Sequence, residues 1–230
     1  MPTPLEGMRI VAKRLEPLHT PFAFVGGAVV GLLVDHPDLT ELRPTKDVDV
    51  IVEVFSYRQF SVLEERLRAI GFQHGTAEGA PICRWMVAGC RVDIMPIDSE
   101  TLGMNSRWFP EALRLSRVTD LGEGCTARVV SPALFLATKL EAFKDRGKGD
   151  YYGSHDLEDL VTLVDGRAAI VAEMASAPGE VRDFVATSFA KMLRHSDFGE
   201  ALPGHLSGLA GARQRAPLVM QRFRAIAALG

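Results

Sequence analysis

Asp47 and Asp49 stand two apart in the run Asp47-Val-Asp-Val-Ile-Val-Glu-Val54, whose acids and valines alternate before β-branched residues take over. An extended strand turns residues i and i+2 to one face about 7 Å apart, so the two carboxylates project together while Val48 and Val50 enter a core. Like charges this close in a partly buried place repel, and a bound cation or a raised pKa relieves them. A third acid, Asp93, lies in a second apolar run, Arg91-Val-Asp-Ile-Met95, and joins the pair if this strand neighbours the first with its odd positions on the same face. Three converging carboxylates offer the hard oxygen ligands that hold Mg2+, with Mn2+ as a substitute, beside substrate phosphates. Gly26 and Gly27 follow the apolar run Phe22–Val25 at once, a pair common as turn punctuation after a strand.

These residues need a frame of strands and helices to hold them. Apolar spacing predicts a helix over 4–18, and Pro21 ends it before the strand 22–25. The glycine pair then makes a strand-to-helix turn, with a helix over 28–34. A strand starts at Asp47, a helix follows over 57–70 with Gly71 as its stop, and 81–87 and 91–97 flank a hairpin turn. After a strand at 127–130, Ser131-Pro132 signals a helix running to about Phe143. Further helices are expected over 154–165, 167–176, 179–194 and 213–229, with a loop from Pro203 to Gly211. The expected fold class is α+β: a mixed β-sheet with flanking helices over residues 1–130 and a helical C-terminal lobe over 131–230.

Composition narrows the setting. The 230 residues include 47% hydrophobic and 24% charged side chains, which excludes disorder and supports a real core. The longest apolar stretch, 22–34, is broken by glycines and falls short of the roughly 20 residues of a membrane span, and no secretory signal is read at the start. No membrane partner is expected, and the cytoplasm is the default location. Cys83, Cys90 and Cys125 are too few for a disulfide framework and form no CxxC pair. The net charge of −3 argues against a broad, sequence-independent grip on nucleic acid. Arg213, Arg215, Arg222 and Arg224 form a local basic run that reads first as the solvated face of a terminal helix, with a patch for a polyanion as the alternative.

Gly26-Gly27-Ala28, then Arg43-Pro-Thr-Lys-Asp-Val-Asp-Val50, then Val92-Asp-Ile94 resembles the signature of the DNA polymerase β-type nucleotidyltransferase superfamily. Downstream, Ala137-Thr-Lys-Leu-Glu-Ala-Phe-Lys-Asp-Arg146 and His155-Asp-Leu-Glu-Asp-Leu160 are similar to the AbiEii-type bacterial nucleotidyltransferases, some of which are toxins of toxin–antitoxin pairs. That branch carries a Lys-x4-[Lys/Arg/Thr] helix followed by an Asp, matched here by Lys139, Lys144 and Asp156, with Asp159 a second candidate for the last. The resemblance spans about residues 22–165; the insert 36–41 and the last helices match no motif.

The resemblance implies a nucleotidyltransferase-type sheet and Mg2+-dependent transfer of a nucleoside monophosphate from a triphosphate to an acceptor hydroxyl. Asp47, Asp49 and Asp93 are then the catalytic metal ligands, holding two ions about 3.5–4 Å apart. Gly26, Gly27, Thr45, Lys139, Lys144 and Asp156 would bind the nucleotide. Lys139 and Lys144 lie about 140° apart round a helix, so one of the two points into the site. Thr45 either positions the metal strand or bonds a turn, and Asp156 either serves the site or opens a helix that Ser154 caps. The acceptor is an RNA such as a tRNA end, a protein or a small molecule, and the toxin-like branch implies an antitoxin partner. The alternative reading is a nucleotide-binding regulatory module of the same fold without turnover.

Overall fold

The computed structural model describes residues 2–230 except 41, 44, 76–78, 99–101, 103–106, 148 and 207–211. In chain order its elements are α1 (Pro4–Leu15), β1 (Phe22–Val25), α2 (Val30–Leu33), β2 (Asp47–Val52), α3 (Tyr57–Ala69) and β3 (Gln73–His74). There follow β4 (Arg84–Val87), β5 (Cys90–Pro96), α4 (Phe109–Arg114), β6 (Arg117–Asp120), β7 (Thr126–Val129) and α5 (Pro132–Asp145). The chain closes with α6 (His155–Gly166), α7 (Ile170–Ala175), α8 (Gly179–Leu193), α9 (Ser196–His205) and α10 (Ala212–Ala227). They group into two compact units, Met1–Val29 with Pro44–Ser131, and Val30–Arg43 with Pro132–Gly230.

The first unit is built on a seven-stranded sheet of order β3-β4-β5-β2-β1-β7-β6. It is mixed, because β2 runs parallel to β5 and β1 parallel to β7 while the other neighbours are antiparallel. Val48, Val50, Ile51 and Val52 are buried, whereas Asp47 and Asp49 are half-buried at the start of β2, so acid-valine alternation gives way to a central-strand run. Thr3 and Glu6 close a capping box on α1, Pro4 sits in its first turn, and Val48 meets the helix at Gly7. α1 therefore covers the face opposite the two acids. Ser56 caps α3 by accepting from the Gln59 amide, and Gly71 ends it at φ 93°.

The second unit is helical. Leu134, Phe135, Leu136 and Ala137 are consecutive buried residues of α5, which makes it a core helix apolar nearly all round. Phe223 packs tilted against Phe189 and Phe198, with centroids 4.4 and 5.0 Å apart, each buried ring contributing about 1.5–3 kcal/mol. Arg215 pairs with Asp165, and Arg222 donates to the carbonyls of Val164 and Asp165 at 2.8 and 2.6 Å, the end of α6. Two arginines of the basic run are thus internal ties, and the reading of that run as a solvated face is corrected for them; Arg224 is exposed.

Three further expectations change. The helix over 28–34 is a 3-10 turn, Gly27–Val29, followed by the single α-turn α2, too short for a strong dipole at the glycine pair. Residues 203–205 belong to α9, which tolerates Pro203 in its last turn; 207–211 lie outside the described residues. β3 and β6, which the sequence did not announce, pair at the two edges of the sheet, and the equally unannounced α4 packs against the central strands β1 and β2. Among the described residues no helix is long and apolar enough to cross a membrane.

Candidate functional site

Parallel pairing of β2 and β5 sets Asp49 opposite Asp93 and Asp47 opposite Arg91. Period-two alternation keeps all four on one face. The next strand completes the group. Ala88 and Gly89 form a two-residue turn with positive φ at both positions, 46° and 78°, the geometry that suits a tight hairpin. That turn fixes the antiparallel register of β4 on β5 and puts Arg84 directly opposite Asp93.

The guanidinium of Arg84 forks onto Asp93. Its Nε donates to Oδ1 at 2.8 Å and one Nη to Oδ2 at 2.7 Å. The same Nη reaches Asp47 Oδ2 at 3.3 Å, so Asp47 and Asp93 share a donor nitrogen. Arg91 Nε donates to the other oxygen of Asp47. Hydrogen bonds to Asp93, helped by the charges of Asp93 and Asp47, outweigh burial, which acts the other way, and hold the Arg84 cation above its ordinary pKa. Beside it, burial and then the Asp93 charge push the Cys83 thiol up to about 11, which makes it an inert core group.

Gly26 meets this group from β1. Val25 is the register partner of Asp49, and the residue after it turns into the left-handed region at φ 71°. A Cβ built on Gly26 would overlap the Asp49 carboxylate, so glycine is required both by backbone and by space. Gly27 opens the following 3-10 turn. Thr45 Oγ donates to the Asp47 carbonyl at 3.4 Å, so it bonds the turn that leads into β2. An open cavity of about 950 Å3 in the same unit lies at the Phe22 end of β1, lined by His19, Glu53 and Arg128, away from the carboxylates.

Among the described residues, no group of three His, Cys, Asp or Glu side chains is arranged to hold a metal ion. Arg84 and Arg91 are the cations that face Asp47 and Asp93. The donor chemistry is nonetheless that of a hard divalent ion: by strand register three carboxylates share one sheet face, and the bare Gly26 leaves the Asp49 carboxylate its space.

The helical unit holds a second charged group. Lys139 is buried, with its Nζ 2.6 Å from Asp159 Oδ2 and 3.1 Å from Asp156 Oδ1. Arg146 forks onto Asp156 with both contacts at 2.8 Å, and Arg43 lies 3.4 Å from Asp159. Burial raises the Asp156 carboxyl, but the Arg146 hydrogen bonds and the charges of Lys139 and Arg146 outweigh it and leave the pKa below its ordinary value. Ser154 caps α6 through the Leu157 amide, as the sequence suggested. Lys144 is exposed near the end of α5, so of the two lysines Lys139 faces inward. Arg84, Arg91, Arg43 and Arg146 escaped the sequence reading as site residues; the hairpin turn was the signal that could have paired Arg84 with Asp93.

No family model matches the sequence, and no curated protein matches it. Among solved structures, an antigenic nucleotidyltransferase-like protein from Paracoccidioides brasiliensis superposes with a TM-score of 0.51 over 96% of this chain and 92% of that one. The chain has a nucleotidyltransferase-like fold. At 16% identity that likeness is one of architecture. The solution structure of the antibiotic-resistance factor ANT(2'')-Ia matches at TM-score 0.43 and 13% identity, over 75% of this chain and 93% of that one. A tRNA nucleotidyltransferase complexed with a primer tRNA and an incoming ATP analog matches at 0.29 and 18% identity, over 84% and 58%.

Proposed function

We propose that the chain transfers a nucleoside monophosphate from a nucleoside triphosphate to an acceptor hydroxyl and releases pyrophosphate. One observation carries this reading: Asp49 and Asp93 sit side by side on parallel strands, with Asp47 on the same face and the bare backbone of Gly26 against Asp49. Asp47, Asp49 and Asp93 would hold Mg2+, or Mn2+. Such ions, when bound, supply charge neutralisation of the triphosphate and activation of the acceptor oxygen. Asp93 would take the proton of the acceptor hydroxyl. Amides at Gly26 and Gly27 would bind phosphate oxygens, and Thr45 would hold the entry to β2 through the Asp47 carbonyl.

Lys139, Lys144 and Asp156 are assigned to the triphosphate by the AbiEii resemblance. The same resemblance supports a toxin-type, cytoplasmic enzyme with an antitoxin partner and an RNA such as a tRNA, a protein or a small molecule as acceptor. A second reading, a nucleotide-binding regulatory module without turnover, is favoured by the arginines that already engage Asp47 and Asp93.

Transfer of α-phosphate label from each ribonucleoside triphosphate, with Mg2+, into total RNA, cell protein or small-molecule extract separates the two. Label entering one fraction with the wild type and not with Asp49→Asn supports the enzyme and identifies its acceptor class. Nucleotide binding without label transfer to any fraction supports the module.

A further inference from the structure

We infer that Arg84 is the resident counter-cation of the carboxylate cluster and that a divalent ion gains Asp93 only by displacing its guanidinium. The inference rests on the reading of Asp47, Asp49 and Asp93 as metal-binding residues. Both oxygens of Asp93 are engaged by Arg84, and one arm of the same fork extends to Asp47. A divalent ion and a guanidinium compete for the same oxygens, since two cations packed against one carboxylate repel. Arginine cannot leave by losing its proton at any ordinary pH, so the exchange is a movement of the side chain.

Two features hold Arg84 in place. Its backbone is fixed beside Asp93, because the Ile94 amide donates to the Cys83 carbonyl at 2.8 Å and the Gly75 amide to the Arg84 carbonyl at 3.0 Å. Its stem lies along Gly75, where a Cβ would come 2.9 Å from Arg84 Cγ although Gly75 has no positive φ to demand glycine. A side chain at Gly75 would crowd the arginine stem. The Arg84 side chain is 21% exposed against 13% for Asp93, which leaves the guanidinium a path to solvent while the carboxylate stays within the sheet.

Arg84 so placed lets the cluster exist without metal and makes metal uptake a switch between two cations. Mn2+ alone, titrated against the full chain and read as loss of the free-ion paramagnetic signal, tests this. Arg84→Gln should bind Mn2+ about tenfold or more tighter than wild type, because one competing unit charge is gone. Arg84→Lys, which keeps the charge without the fork, should fall between and serves alone if Arg84→Gln fails to give a native circular dichroism spectrum. Tighter binding that Asp49→Asn then removes supports the inference. Equal or weaker binding than wild type, still sensitive to Asp49→Asn, overturns the displacement and leaves the metal reading standing. No uptake by any variant, or uptake indifferent to Asp49→Asn, overturns both.

Discussion

The α-carbon of Gly26, the residue that follows β1, lies against the carboxylate of Asp49 on the neighbouring strand β2, and the space a Cβ would need at Gly26 is filled by that carboxylate. Gly26→Ala therefore combines a left-handed backbone without glycine, costing about 1–2 kcal/mol, with displacement of Asp49. A lower urea midpoint together with weakened Mn2+ binding is the expected result. A variant with wild-type metal affinity would show that Asp49 can move aside without consequence.

Asp47→Asn should abolish label transfer while leaving the fold close to wild type. Asp47 and its partner Arg91 are both partly exposed, 28% and 35%, and an ion pair of that kind contributes about 0–1 kcal/mol. Asp93→Asn removes one side of a charged fork and should cost more, about 1–3 kcal/mol. Urea unfolding of the two variants side by side checks the order.

Lys139→Met breaks a buried tie to Asp156 and Asp159, and removing one partner of such a group costs about 3–5 kcal/mol, less whatever Arg146 and Arg43 make good. Lys144→Met, at an exposed position, should leave the melting temperature unchanged. Nucleotide affinity measured on both separates structure from binding. If only Lys139→Met weakens nucleotide at a temperature where both are folded, the triphosphate assignment keeps that one residue.

Asp156 has a folded pKa below the ordinary Asp value of about 3.9, so the folded state favours its charged form. The resulting stabilisation is present in full above the unfolded value and is lost as pH falls through the lower folded value. Acid should therefore weaken the helical unit below about pH 4, and Asp156→Asn should flatten that part of the stability curve. Circular dichroism melts between pH 7 and 3 read it directly.

Cys83 and Cys90, buried with raised pKa, should resist a disulfide reagent at pH 8 in the native protein and react at once in urea. Rapid reaction of Cys83 without denaturant would show that the start of β4, the end away from the hairpin turn, opens.

The central sheet and its acids were legible because local signals agreed. Acid-valine alternation marked β2, Gly71 stopped α3, and Ser154 announced α6. Residues whose role depends on a partner far along the chain were not. Arg43 and Asp159 meet across 116 positions, and nothing local to either signals the other. Grouping of Val30–Arg43 with the C-terminal helices likewise had no local mark. Pro203-Gly204 read as a breaker because intrinsic propensity was weighed without the packing of Phe198 and Leu202 that holds α9 together.

The hairpin turn also sets a difference in the cost of chain closure. Arg84 and Asp93 are nine positions apart, while Arg91 and Asp47 are separated by 44. Chain closure over the shorter span is cheaper by about 1.4 kcal/mol, so the fork on Asp93 forms at a lower entropic cost than the pairing of β5 with β2. A hairpin closed first would carry Asp93 to β2 with its counter-charge already beside it, and three bare carboxylates would not have to be pressed together.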